Sequence, residues 1–229
     1  MKNFDVLLWD VDGTLLDFIA AEKAAVKTLF HEFGLGECSD EMVARYSEIN
    51  RLYWEALERG ELTKPVILVR RFADFFAEYG IDPAIAPQFN ELYQVRLGDT
   101  VEFCDDSYEL LASLRGRIRQ YAVSNGTVAA QERKLKNSGL DKLFDGVFLS
   151  EQVGYEKPSE RFFDAVFAAI GPVDRGRCLI IGDSLTSDIT GGNNAGIKTC
   201  WYNPGGKPRD ASVQVDFEVS DLREIPALL

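Results

Sequence analysis

The chain has 229 residues, 46% hydrophobic and 27% charged, which is enough for a full core and for either one domain or a domain with an insert. Its net charge of −12 argues against a protein that binds nucleic-acid polymers or membrane surfaces, since phosphate backbones and anionic lipids recruit basic patches. A small phosphorylated ligand remains admissible, because a metal and a few local cations can offset the global sign.

The four cysteines, Cys38, Cys104, Cys178 and Cys200, are scattered and read as free thiols, and the single histidine, His31, has no partner at zinc spacing and no nucleophile's elbow beside it. The N-terminus enters a strand at residues 4–11 with no basic, apolar leader, and no run of bilayer length follows, so the cytoplasm is the expected compartment. Helical periodicity then dominates from Asp17 to Gly98. Ala24, Ala25, Leu29, Phe30 and Phe33 make one face that stops at Gly34. Tyr46, Ile49, Asn50, Tyr53, Trp54 and Leu57 make a second, which stops at Gly60. Thr63 reads as an N-cap with Pro65 in the first turn, followed by Val66, Val69, Phe72, Phe76 and Tyr79. Pro83 opens a fourth segment carrying Phe89, Leu92 and Tyr93.

After Gly98 strands and helices alternate. Strands are expected at residues 118–124, 146–149, 178–182, 199–202 and 217–219, and helices near 107–114, 128–137, 160–169 and 186–195. This rhythm predicts an α/β fold, a doubly wound parallel Rossmann-like sheet, with an all-α block inserted between its first and second strands. The expected division is 1–16 plus 99–229 for the α/β core and 17–98 for the helical insert. No internal repeat interrupts it.

Four segments in this frame carry chemistry. The apolar run Val6-Leu7-Leu8-Trp9 leads into Asp10-Val11-Asp12-Gly13-Thr14, which places two carboxylates at a strand's C-terminal tip, where open α/β sheets keep their ligand sites. Carboxylates so close repel one another unless a hard cation or a shared proton relieves them. The strand ending Val123-Ser124-Asn125-Gly126 offers a hydroxyl and successive backbone N–H groups to an anion. Pro158 biases Lys157 toward extended backbone, which can aim its ammonium at a neighbouring site. Finally, Ile180-Ile181-Gly182-Asp183 ends a buried strand in an aspartate, and Asp188 follows at a helix start, where capping alone would also favour it.

This set, in this order, resembles the four motifs of the haloacid dehalogenase (HAD) superfamily, and the resemblance spans the whole chain, the insert included. It implies a Mg²⁺-dependent phosphatase. Asp10 would be the nucleophile that forms an aspartyl-phosphate, and Asp12 the general acid and then base. Asp10 and Asp183, with the main-chain carbonyl of Asp12 and with Asp188 behind them, would hold Mg²⁺. Ser124, Asn125 and Gly126 would hold phosphoryl oxygens, and Lys157 would offset charge. Asp12 speaks against a dehalogenase, whose halide leaving group needs no proton, and the retention of Asp10, Asp12 and Asp183 speaks against a silent binding module. The helical insert resembles a substrate-selecting cap.

Glu48-Ile49-Asn50-Arg51-Leu52-Tyr53-Trp54, Gly60-Glu61-Leu62-Thr63 and Ile189-Thr190-Gly191-Gly192-Asn193-Asn194-Ala195-Gly196 resemble the bacterial pyrimidine 5′-nucleotidases of this superfamily. The implied substrate is a nucleoside monophosphate, with a sugar phosphate or phosphoglycolate as the alternative. Asn50, polar in an apolar stripe, needs a partner, either a base edge or a group inside the insert. Tyr53 and Trp54 read either as base-stacking or as core, and Arg70 and Arg71 either as phosphate or sugar contacts or as solvated charges. Monomer and homodimer are both compatible with the sequence.

Overall fold

The first strand, β1 (Val6–Trp9), is shorter than the expected 4–11. The Asp10 N–H still donates to the Ile181 carbonyl at 2.9 Å, but Gly13, at φ 85°, then turns the chain out of the sheet. The computed structural model describes residues 3–229; Met1 and Lys2, the start of the expected core segment, lie outside the described residues.

Four helices follow: α1 (Phe18–Glu32), α2 (Asp40–Glu58), α3 (Lys64–Glu78) and α4 (Ala86–Leu97). Asp17 and Ser39 cap the first two by accepting from the backbone N–H groups of Ala20 and Met42. Thr63 stands at the N-cap of α3 but its side chain makes no capping bond; Pro65 in the first turn leaves one fewer orphan N–H there. The four helices close over an apolar cluster to which Ala130 also contributes. Phe72 sits near its centre, with Tyr46, Phe89 and Tyr93 rings at 4.8, 4.9 and 5.0 Å.

The chain then runs through α5 (Ser107–Leu114), β2 (Arg119–Ser124), α6 (Val128–Ser138), β3 (Gly146–Leu149), the single turn α7 (Ser150–Val153), α8 (Glu160–Ile170) and β4 (Cys178–Gly182). The helix expected at 186–195 is two pieces, a π-type turn over Leu185–Ile189 and a short α9 (Thr190–Asn194). Strands β5 (Lys198–Tyr202) and β6 (Phe217–Val219) complete the sheet.

All six strands are parallel, in the order β3-β2-β1-β4-β5-β6. The doubly wound sheet expected from the sequence is thus present, and its central strands β1 and β4 are buried on both faces. Leu7, Trp9, Ala122, Leu179 and Ile181 fill one core cluster, while Val6, Leu8, Tyr121, Val123 and Ile180 fill the other, as the period of two requires. The chain places β2 and β3 on one side of β1 and then crosses back to place β4 on its other side, so the tip of β1 is the switch point of the sheet, where a crevice opens.

The entry and exit of the helical block run side by side. Leu16 bridges to Phe103, the Asp17 N–H donates to the Glu102 carbonyl at 2.8 Å, and the Cys104 N–H donates to the Leu15 carbonyl at 3.0 Å. Side-chain bonds that tie the block to the α/β part include Thr127 to Gln94 at 2.7 Å, Lys64 to Ser150 at 2.5 Å, Asn137 to the Gly98 carbonyl at 2.8 Å, and Thr186 to Glu58.

Candidate active site

Trp9 lies in register with Ala122 on one side and Ile181 on the other, so the residues just beyond these three strands converge. Asp10 is therefore brought against Ser124 of β2 and Asp183 beyond β4. Thr14, in the turn after β1, donates its hydroxyl to Asp10 Oδ2 at 3.0 Å and accepts the Asp183 N–H at 3.1 Å, which locks the two strand ends together.

Lys157 is the cation held among these aspartates. It is 1% exposed, and its Nζ donates to Asp10 Oδ1 at 2.8 Å, the Val123 carbonyl at 2.8 Å and Asp188 Oδ1 at 2.6 Å. These acceptors use all three ammonium protons. Burial alone would lower the Lys157 pKa, but Asp10 and Asp188 outweigh it and raise the value above the usual lysine range. Asn125 fixes the backbone of that lysine: its side-chain amide donates to the Lys157 carbonyl at 2.8 Å and accepts the Lys157 N–H at 2.9 Å. The Lys157–Pro158 peptide is cis.

Asp188 is 1% exposed and also accepts the Ser184 N–H at 3.2 Å. It reaches the site because residue 182 is glycine; a Cβ there would stand 2.2 Å from the Asp188 carboxyl carbon. Ser124 is buried, and its hydroxyl accepts the Gly126 N–H at 3.0 Å.

One carboxylate oxygen from each of Asp10, Asp183 and Asp188 lies within 4.8 Å of the others. Burial and then the Asp188 charge push the Asp10 carboxyl well above the usual range, against the pull of Lys157. Burial and Asp188 likewise raise Asp183 to about 7. Three carboxylates with one lysine among them form an under-neutralised set, and a hard divalent cation with oxygen ligands fits the deficit.

Asp12 behaves differently. Its carboxylate is outside this cluster, bonded to Lys134 and, at 2.5 Å, to Gln131, both on α6. As a side chain it does not join the other expected metal ligands.

Asn50 does not join the site at all. Its amide donates to Glu22 Oε2 at 2.7 Å and accepts from Arg71 at 2.6 Å, inside the helical block. Arg71 is not a solvated charge: it is 1% exposed, bonded also to Asn90 and stacked near Phe72 and Tyr93. Glu22, wholly buried, is raised in pKa by desolvation, partly offset by Ser47 and Arg71. Tyr53 is committed to Asp74.

Sequence reasoning missed Thr14, Gln131, Lys134 and Glu58. Thr14 follows directly on Asp10-Val11-Asp12-Gly13 and could have been found there. Gln131 and Lys134 carry only a weak signal, two polar residues three apart on the buried face of α6. Glu58, at the end of α2, is half-buried; desolvation raises it to about 7, with Asp188 and Asp183 adding to the rise and Thr186 and Lys157 opposing it. A cavity of about 360 Å³ opens beside Asp183, lined among others by Gly13, Phe18, Phe103, Tyr202 and Lys207.

The model of the haloacid dehalogenase-like hydrolases matches residues 4–196, and the chain belongs to that family. Among its relatives, the HAD-hydrolase YfnB of Bacillus subtilis is 37% identical over the whole chain and 97% of YfnB. The structure of YfnB, described as bound to magnesium and as revealing interdomain movement, superposes with a TM-score of 0.93 over 99% of each chain. The pyrimidine 5′-nucleotidase PynA of Streptococcus pneumoniae is 36% identical over 97% of this chain and 93% of its own. The pyrimidine 5′-nucleotidase YjjG of Escherichia coli is 28% identical over 99% and 98%. The chain is thus a HAD-superfamily hydrolase. Among the described residues, no helix is long and apolar enough to cross a membrane.

Proposed function

We propose that the protein is a cytoplasmic, Mg²⁺-dependent phosphomonoesterase that works through an aspartyl-phosphate on nucleoside monophosphates, pyrimidine nucleotides foremost. The observation that carries the chemistry is Asp10: a buried carboxylate at the sheet's switch point, held by Thr14 and Lys157 and adjoining two further aspartates. The nucleotide preference rests on the relatives PynA and YjjG, both named pyrimidine 5′-nucleotidases and aligned over nearly the full chain.

In this reading Asp10 and Asp183, with Asp188 behind them and the main-chain carbonyl of Asp12 beside them, would hold Mg²⁺. The bound cation supplies charge neutralisation that lets an anionic nucleophile meet an anionic phosphate. Ser124 and the N–H groups of Asn125 and Gly126 receive the phosphoryl oxygens, and Lys157 opposes the rise in the Asp10 pKa and aims its carboxylate. Asp10 attacks phosphorus, and Asp12, rotated from Lys134 and Gln131, gives a proton to the departing alkoxide. Asp12 then takes a proton from the water that cleaves the aspartyl-phosphate. Residues 17–98 act as the cap, pivoting on the paired linkers at Leu16 and Phe103, and exclude bulk water when closed.

The test is phosphate release with Mg²⁺ across nucleoside monophosphates, sugar phosphates and phosphoglycolate. Preference for UMP and CMP, absent in Asp10→Asn, supports the reading. Preference for a sugar phosphate keeps the chemistry and rejects the nucleotide assignment.

A further inference from the structure

One charged side chain of the helical block reaches the aspartate cluster. Glu58 is the last residue of α2, and its Oε2 accepts the hydroxyl of Thr186, in the π-type turn that also carries Asp188. Thr186 in turn lies 3.2 Å from the Ser184 hydroxyl, next to Asp183. Glu58 Oε1 has no hydrogen-bond partner among the described residues, and the carboxylate forms no ion pair among them. The block therefore adds an unpaired acid with one open acceptor to a site that already holds three aspartates and one buried lysine.

We propose that Glu58 is a specificity-determining residue that admits phosphomonoesters with an uncharged, hydroxyl-bearing alcohol portion and turns away those with a second anionic group near the phosphate. The proposal rests on the phosphomonoesterase reading above and narrows its substrate class. Lys157 already spends its three protons on Asp10, Asp188 and Val123, so it has none left for a second anion. A carboxylate carried by the substrate would meet Glu58 in a partly desolvated crevice, where like charges repel more strongly than in water. A substrate hydroxyl would instead donate to Glu58 Oε1. Sugars and ribose offer such donors; phosphoglycolate and phosphoserine present a carboxylate.

The competing explanation for the Glu58–Thr186 contact is a simple latch between the block and the α/β part. Two variants separate the roles. Glu58→Gln keeps the shape and the bond to Thr186 but removes the charge, whereas Thr186→Val removes the bond and keeps the charge.

The experiment uses the full chain with Mg²⁺ at pH 8, above the value of about 7 to which burial raises Glu58. Inhibition constants against p-nitrophenyl phosphate hydrolysis are measured for two matched pairs: 2-hydroxyethyl phosphate with phosphoglycolate, and glycerol 3-phosphate with 3-phosphoglycerate. The expected result is that wild type binds the neutral member of each pair at least about tenfold more tightly. Glu58→Gln should shrink that ratio to below about threefold by improving the acids, and Thr186→Val should shift all four esters in parallel. A wild-type ratio near one, or a ratio that Glu58→Gln leaves unchanged, overturns the proposal. No nucleotide enters the comparison, so a failure of nucleotide turnover elsewhere rejects only the nucleotide assignment. Absence of p-nitrophenyl phosphate hydrolysis would overturn the phosphomonoesterase reading and this proposal with it.

Discussion

Lys157 and Asp10 form an ion pair of 2.8 Å across 147 residues of sequence, with the lysine 1% exposed. Asn125 holds the lysine's backbone from both sides, so the pair is set by the ends of β1 and β2 and the loop before α8 rather than by side-chain flexibility. Removing one partner of such a pair leaves a buried charge uncompensated. Lys157→Met should therefore cost about 3–5 kcal/mol in urea unfolding, because it strands both Asp10 and Asp188. It should also abolish turnover, whereas Asp10→Asn, which leaves Lys157 paired with Asp188, should abolish turnover with little loss of stability. Equal loss of stability in the two variants would count against this account of the pair.

The aspartates make stability depend on pH and metal together. Asp183 has a folded pKa of about 7, above its unfolded value, and Asp10 is raised in the same direction. A raised acid contributes stability that is full below its unfolded pKa and is lost as pH rises through the folded one. Wild type without metal should therefore lose stability relative to Asp183→Asn between about pH 4 and 8. Mg²⁺ needs the deprotonated ligands, so its stabilising effect should be larger at pH 8 than at pH 5. Thermal unfolding at both pH values, with Mg²⁺ and with chelator, reads both effects; a Mg²⁺ shift larger at pH 5 would reject the assignment of these groups as ligands.

Asp12 stands apart from the aspartate cluster, on Lys134 and Gln131, and in the proposed mechanism its carboxylate exchanges protons rather than binds a cation. Asp12→Asn should lower kcat by about 10²–10⁴ while leaving Mg²⁺ affinity within about threefold. In single-turnover experiments the loss should be smaller for p-nitrophenyl phosphate, whose leaving group scarcely needs a proton. Loss of Mg²⁺ binding in Asp12→Asn, seen by calorimetry, would instead make its carboxylate a ligand.

What the sequence made legible follows from local rules. Each of β1, β2 and β4 is an apolar run ended by a polar residue and a glycine, so the strand tips carrying Asp10, Ser124 and Asp183 could be read without the structure. What stayed hidden was pairing between distant elements. Nothing near Glu58 announces that the end of α2 meets the turn after β4, and the spacing of Gln131 and Lys134 does not reveal that Asp12 lies beneath them. Arg71 reads as a surface charge by residue type, yet it is satisfied by Asn50 and Asn90 and covered by aromatic rings. The short π-type turn at Leu185–Ile189 was hidden for the same reason: helical periodicity does not distinguish it from the α-helical turn that follows.

Asn50 finds its partners inside the helical block. Its position in an apolar stripe called for a partner, and the partners are Glu22 and Arg71, so both ends of the amide are spent inside the helical block. Truncation would leave a raised, buried Glu22 carboxylate and a buried guanidinium each short of one hydrogen bond. Asn50→Ala should therefore lower unfolding free energy by about 1–3 kcal/mol. Because the residue touches no part of the aspartate cluster, KM for the preferred ester should stay within about twofold at a temperature where the variant is folded. A large rise in KM with unchanged stability would return Asn50 to the substrate site and require the block to open a path to it.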